Sequence, residues 1–359
     1  MAAAAFLLPL APAVHAQVAR DNVVLIVLDG LRWEEVFRGA DSTLLNREHG
    51  GIDDTVAIRA EFWRPAVEDR RRALMPFLWD SVAATGVLIG DGDAGESVRA
   101  TNGLNFSYPG YNEMIAGVAD SRIDSNEHPA NPNLTVFDWL NRRPGFEGRV
   151  AVFGTWDAFP RIFNSPQAGL AVHAAWPDPY LPADTGVDVI VNRLARTTTR
   201  IWDDLAYDSF MQLAVRAHVV AAKPNVLFVG YGETDVWAHD GEYGKLLRSA
   251  RQTDAFIAEL WSLMQGMPEY RGRTTLIITT DHGRGSGLRQ WRDHGKDVAG
   301  ADRIWIAAIG PRVRRPHQPG AGISVTQSQI AATVAAAVGE DFRSAVPAAA
   351  AAISGIGDR

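Results

Sequence analysis

The pattern that most constrains the fold is a short, apolar, β-branched run that stops at a carboxylate, and it occurs three times. Asn22–Leu28 reads NVVLIVL and is followed by Asp29 and Gly30. Val226–Tyr231 reads VLFVGY and leads through Gly232, Glu233 and Thr234 to Asp235. Residues 274–281 read TTLIITTD and run into His282 and Gly283. Runs without polar alternation are the mark of strands buried on both faces, and such strands occur in parallel sheets covered by helices on either side. Val150–Gly154 and residues 87–90 and 304–309 are further strand-like runs. Between them the apolar spacing turns helical over residues 67–85, 203–222, 242–264 and 326–338. Pro76 marks a kink or a second start in the first of these. Thr326 and Gln329 fit a capping box ahead of the last. Residues 41–66 read as an irregular surface excursion. The predicted fold is α/β, a mostly parallel central sheet sandwiched between helices. One domain over residues 17–359 is expected, with a small cap from about 120–200, where Pro, Trp and Asn crowd.

A buried strand does not end in an unpaired charge without a partner for it. In a parallel sheet Asp29, Asp235 and Asp281 lie along one edge, the carboxyl edge where open α/β sheets bind ligands. Three of the nine histidines stand close to these aspartates. His239 follows Asp235 by four residues, on one face of a helical turn. His282 follows Asp281 directly, and His294 lies in WRDHG beyond a Gly-rich loop. The chain has no cysteine, so thiolate sites, disulfides and cysteine nucleophiles are excluded. Carboxylate and imidazole are then the donors, which suits zinc or manganese. This many ligands exceeds one catalytic zinc and fits two divalent ions about 4 Å apart, as used for displacement at phosphorus. A nucleophile candidate is Ser107 in NFSYPGY, where a loop turns into a helix beginning near Tyr111. Its hydroxyl needs a metal to act at neutral pH. Thr101 and Ser97 compete for the role.

The formal net charge of −7 argues against a nucleic-acid polymer as partner and leaves room for a small phosphorylated substrate. Residues 1–16, MAAAAFLLPLAPAVHA, read as a secretory signal, although no Lys or Arg opens them. The apolar stretch is too short to span a bilayer, so no stable membrane anchor is expected and the protein is placed in the periplasm or outside the cell. Nothing in the sequence bears on oligomeric state.

In this order (Asp29-Gly30, a Ser107 loop, Asp235-x-x-x-His239, Asp281-His282-Gly283, then His294) the chain resembles the alkaline phosphatase superfamily. The resemblance implies two zinc ions, one held by Asp235, His239 and His294, the other by Asp29, Asp281, His282 and the oxygen of Ser107. It implies hydrolysis of a phosphate ester, monoester or diester, through a phosphoseryl intermediate on Ser107. Ser107-Tyr108-Pro109 is similar to the nucleophile loop of the type I phosphodiesterase/nucleotide pyrophosphatase branch, where an Asn helps hold phosphate; Asn105, Asn112 and Asn126 are candidates. The Arg that sulfatases place four residues after the nucleophile is Tyr111 here, and the phosphate-clamping Arg of bacterial alkaline phosphatases is Pro109. The alternatives are a sulfatase-like or phosphonate-hydrolase-like enzyme of this fold, a mutase, or a non-catalytic metal-binding relative.

Overall fold

The computed structural model describes residues 20–178, 180–182, 186–314 and 322–357, so the leader read at residues 1–16 lies outside the described residues. The strands are Asn22–Leu28 (β1), Val87–Ile89 (β2), Ser97–Arg99 (β3), Val150–Gly154 (β4), Ala171–Ala174 (β5), Val226–Tyr231 (β6), Thr274–Thr279 (β7), Ile306–Ile309 (β8) and Ser324–Thr326 (β9). Seven form one sheet in the order β2-β8-β7-β1-β6-β4-β5, while β3 and β9 pair separately. The pairs from β7 to β5 are parallel. Only β8 runs against its neighbours β7 and β2. The mostly parallel sheet between helices is therefore the observed architecture.

Burial explains the unalternating strands. Val23, Leu25 and Val27 of β1 join one apolar layer, and Val24, Ile26 and Leu28 join the other. None of the six is more than 1% exposed. Each such side chain contributes about 1.5–3 kcal/mol when removed from water. One layer is closed by the Ser107–Ala116, Val136–Asn141 and Gln329–Ala337 helices, the other by Asp208–Ala222 and Tyr243–Gly266.

Several local readings change. Residues 67–85 divide at Pro76, where a second start was expected. Val67–Leu74 stops before Pro76, which lacks the N–H a continuous helix needs. The chain restarts when the Asp254 carboxylate accepts the N–H groups of Phe77 (2.8 Å) and Leu78 (2.9 Å), and a π-helical turn follows at Leu78–Val82. Residues 41–66 hold two helices, Arg47–Gly50 and Thr55–Phe62, started by Asn46 and Asp54, whose side chains accept N–H groups from the first turn. At the last helix only half the capping box forms: Gln329 accepts the Thr326 N–H (3.0 Å), and the helix starts at Gln329 itself. Within residues 120–200, β4 and β5 complete the sheet's far edge, and the Gly186–Thr197 helix follows them. Among the described residues no helix is long and apolar enough to cross a membrane.

Candidate metal centre

Strand order brings the three acidic ends together. β7, β1 and β6 are consecutive in the sheet, so Asp281, Asp29 and Asp235 leave neighbouring strands at the same edge. Gly30 ties two of them: its N–H donates to Asp281 Oδ1 at 3.0 Å. Its φ is +59°, and a Cβ there would lie 2.6 Å from Asp235 Oδ1, so no side chain is tolerated at this turn.

His282 sits at the centre, fully buried. Its Nε2 lies 3.3 Å from Asp29 Oδ1, 3.5 Å from Asp281 Oδ2, 3.7 Å from Asp235 Oδ1 and 3.4 Å from Ser107 Oγ. Its Nδ1 is 2.9 Å from the Gly283 carbonyl, so Nδ1–H donates there and Nε2 is turned inward toward the carboxylates. His294 is built the same way, with Nδ1 3.3 Å from the Asn105 carbonyl. His239 Nε2 stands 2.9 Å from His294 Nε2 and 3.4 Å from Asp235 Oδ2. Two triads, Asp29–Asp281–His282 and Asp235–His282–His294, each gather ligand atoms within 4.8 Å. His282 belongs to both, a sharing the sequence does not indicate.

The donor set fits divalent cations. Asp29 Oδ1 and Asp281 Oδ2 are buried with no hydrogen-bond partner among the described residues. Each such oxygen costs about 1–3 kcal/mol unless something cationic faces it. Burial, followed by the Asp29 charge, pushes the Asp281 carboxyl up to about 8. Burial opposes a charged His282, but the Asp281 and Asp29 carboxylates outweigh it and raise the imidazole to about 9. Burial, then the positive His282 and Arg284, holds His294 far below the usual imidazole range. Without a cation Asp281 and His282 retain protons that a bound divalent ion would displace.

Arg284 was not indicated by the sequence, where it reads as one more charge in a Gly-rich loop. It is buried, donating to the Gly30 carbonyl (3.2 Å), the Asp235 carbonyl (3.1 Å) and Asp235 Oδ1. It thereby joins the ends of β1, β6 and β7 and occupies one oxygen of Asp235, leaving Oδ2 toward His239.

Ser107 opens the Ser107–Ala116 helix, buried at the edge of this cluster. Its competitors are engaged elsewhere: the Thr101 hydroxyl donates to Glu113 (2.6 Å), and Ser97 lies in β3, accepting from Arg99. Glu113 also accepts the Thr101 and Asn102 N–H groups, which fixes the loop that delivers Ser107. Tyr111 donates to Asp29 Oδ2 at 3.0 Å, so the residue standing where sulfatases carry Arg braces a carboxylate instead. Of the three asparagines, Asn112 is buried in a network with Asn131 and Asn133. Asn126 accepts the Tyr108 N–H (3.0 Å) beside Ser107. Asn105, at φ +55°, has a buried Oδ1 without a partner.

The helix approaches β7 closely through Gly110, where a Cβ would lie 2.4 Å from the Asp281 carbonyl oxygen. Gly110→Ala must push Ser107 away from the cluster. A displacement near 1 Å costs about 100-fold in rate. We expect that loss of turnover with metal content unchanged by elemental analysis, because no side chain of the cluster is removed.

An α/β sheet with acidic and imidazole side chains converging beyond its carboxyl edge defines a candidate two-metal centre. The fold is that of the alkaline phosphatase superfamily. No family model matches the chain, and no curated protein matches it in sequence. Solved structures share the architecture. A 2-O GAG sulfatase aligns over 95% of this chain and 75% of its own at 13% identity and a TM-score of 0.56. The phosphonate monoester hydrolase of Agrobacterium radiobacter aligns over 89% and 74% at 14% identity and a TM-score of 0.52. A protein in the alkaline phosphatase superfamily from Vibrio parahaemolyticus aligns over 90% and 68% at 12% identity and a TM-score of 0.50. These likenesses cross the branches of the superfamily.

Proposed function

We propose that the protein is a metal-dependent hydrolase of phosphate esters that acts through a phosphoseryl intermediate on Ser107. The observation that carries this reading is a serine hydroxyl 3.4 Å from His282 Nε2, beside two buried carboxylate oxygens that lack partners. Asp29, Asp281, His282 and Ser107 Oγ would hold one divalent ion, and Asp235, His239 and His294 the other. Zinc fits this donor set, with manganese second. When bound, the ions supply the positive charge that acidifies the serine hydroxyl and neutralises the oxygens around phosphorus.

The chain's own groups do the rest. Ser107 Oγ forms a bond to phosphorus as the ester P–O bond opposite it breaks, and the alcohol leaves with a proton. Water then adds to phosphorus, Ser107 leaves and recovers its proton, and phosphate or a phosphomonoester is released. Asn126, whose Oδ1 is held by the Tyr108 N–H, would offer its amide N–H groups to a phosphoryl oxygen, and the first helical turn favours an anion at Ser107. A phosphate ester is favoured over a sulfate ester because Tyr111, not an arginine, follows Ser107 by four residues and the chain has no cysteine. The net charge of −7 supports a small substrate over a nucleic-acid polymer.

The test compares p-nitrophenyl phosphate, bis-p-nitrophenyl phosphate and p-nitrophenyl sulfate with zinc supplied. One of the phosphate esters is expected to show the highest kcat/KM. Faster turnover of the sulfate would overturn the phosphate reading, and its ratio to a phosphonate monoester would then reassign the branch.

A further inference from the structure

A second region has the character of a binding site and plays no part in the chemistry above. At the β4–β5 edge, the sheet, the Gly186–Thr197 helix and the Asp208–Ala222 helix enclose a cavity of about 880 Å³. That is within the usual range for small-molecule pockets. Its walls are mostly apolar and include Phe153, Val172, Val191, Leu213 and Val220. Leu213 and Val220 are 41% and 51% exposed, so apolar surface faces open space. A folded chain normally closes such a gap by packing.

Two polar atoms on lining residues are buried and have no partner among the described residues: His173 Nε2 and the Tyr180 hydroxyl. Tyr180 is 1% exposed, and buried tyrosine hydroxyls ordinarily find a partner. The His173 ring lies against Phe153 and Tyr180, with centroids 5.3 and 4.9 Å away. Burial keeps this imidazole neutral, its pKa lowered to about 4. An apolar wall carrying two idle hydrogen-bonding atoms fits a molecule with an apolar body and one polar end.

We propose that this cavity binds a small amphiphile, its hydrocarbon body against Phe153, Val191 and Leu213 and its terminal oxygen bonded to His173 Nε2 and the Tyr180 hydroxyl. The shared chemistry admits a carboxylate or a hydroxyl head. The inference does not depend on the phosphate-ester reading.

The test is calorimetric titration of the metal-loaded full chain with decanoate and, separately, with decanol. Saturating inorganic phosphate keeps a carboxylate from reporting on the metal centre. One-to-one saturable binding of at least one probe is expected, and the preferred probe identifies the head group. Ala171→Phe, at an exposed position on β5 that lines the cavity, should abolish binding. His173→Leu should weaken it about fivefold, the worth of one hydrogen bond. Both variants should keep wild-type circular dichroism and the wild-type metal content. Absence of saturable binding by the wild type, or unchanged binding in both variants, would overturn the proposal.

Discussion

Ser107→Ala is expected to lower turnover of an aryl phosphate by about 10⁴-fold or more, the scale seen when a catalytic nucleophile is removed. The same variant should retain about two equivalents of metal, because the carboxylate and imidazole donors of both ions remain. The loss should appear in kcat, since the missing bond to phosphorus forms only as the reaction proceeds. Burst kinetics and trapping of a phosphorylated Ser107 in the parent protein give an independent check. Activity within tenfold of the parent would remove Ser107 from the mechanism. Loss of both metal and activity would make it chiefly a ligand.

The second large effect concerns the protein without its metal. Asp281 is raised to about 8 and His282 to about 9, each holding a proton in the folded state that it gives up earlier when unfolded. Over that span the native state binds more protons than the unfolded one, so stability falls as pH rises. For His282 the contribution is complete below about pH 6.5 and is gone once pH passes about 9. For Asp281 the penalty of ionising beside Asp29 grows up to about pH 8. After chelation the melting temperature should therefore drop steadily between pH 6 and 9. Zinc affinity should move the opposite way, rising with pH as its competitors for the ligands dissociate. Calorimetry in buffers of different ionisation enthalpy should show protons released on zinc binding at pH 7. A chelated protein whose melting temperature rises over this range would contradict the crowding of Asp29, Asp281 and His282. Asp29→Asn separates the two effects, because it should stabilise the chelated protein while weakening zinc binding.

Much of this was legible in the sequence where the information is local. The strands with no polar alternation, the aspartates at their ends and the i, i+4 spacing of Asp235 and His239 are properties of short segments. The misread segments fail for equally local reasons. The caps at Asn46 and Asp54 start short helices too polar to show a period, whereas the break at Pro76 was legible because proline lacks the N–H a helix needs. β8 looked like every other apolar run because direction leaves no mark on composition.

By itself, then, the sequence determined which acidic and imidazole side chains stand near the strand ends and that no thiolate accompanies them, since these follow from residue type and short-range periodicity. The tertiary structure alone decided that β7, β1 and β6 are neighbours, that His282 stands between both candidate triads, and that Arg284 and Tyr111 occupy one oxygen each of Asp235 and Asp29. Those contacts join residues far apart in the chain, and their distances are fixed by strand order and core packing, which no local segment encodes.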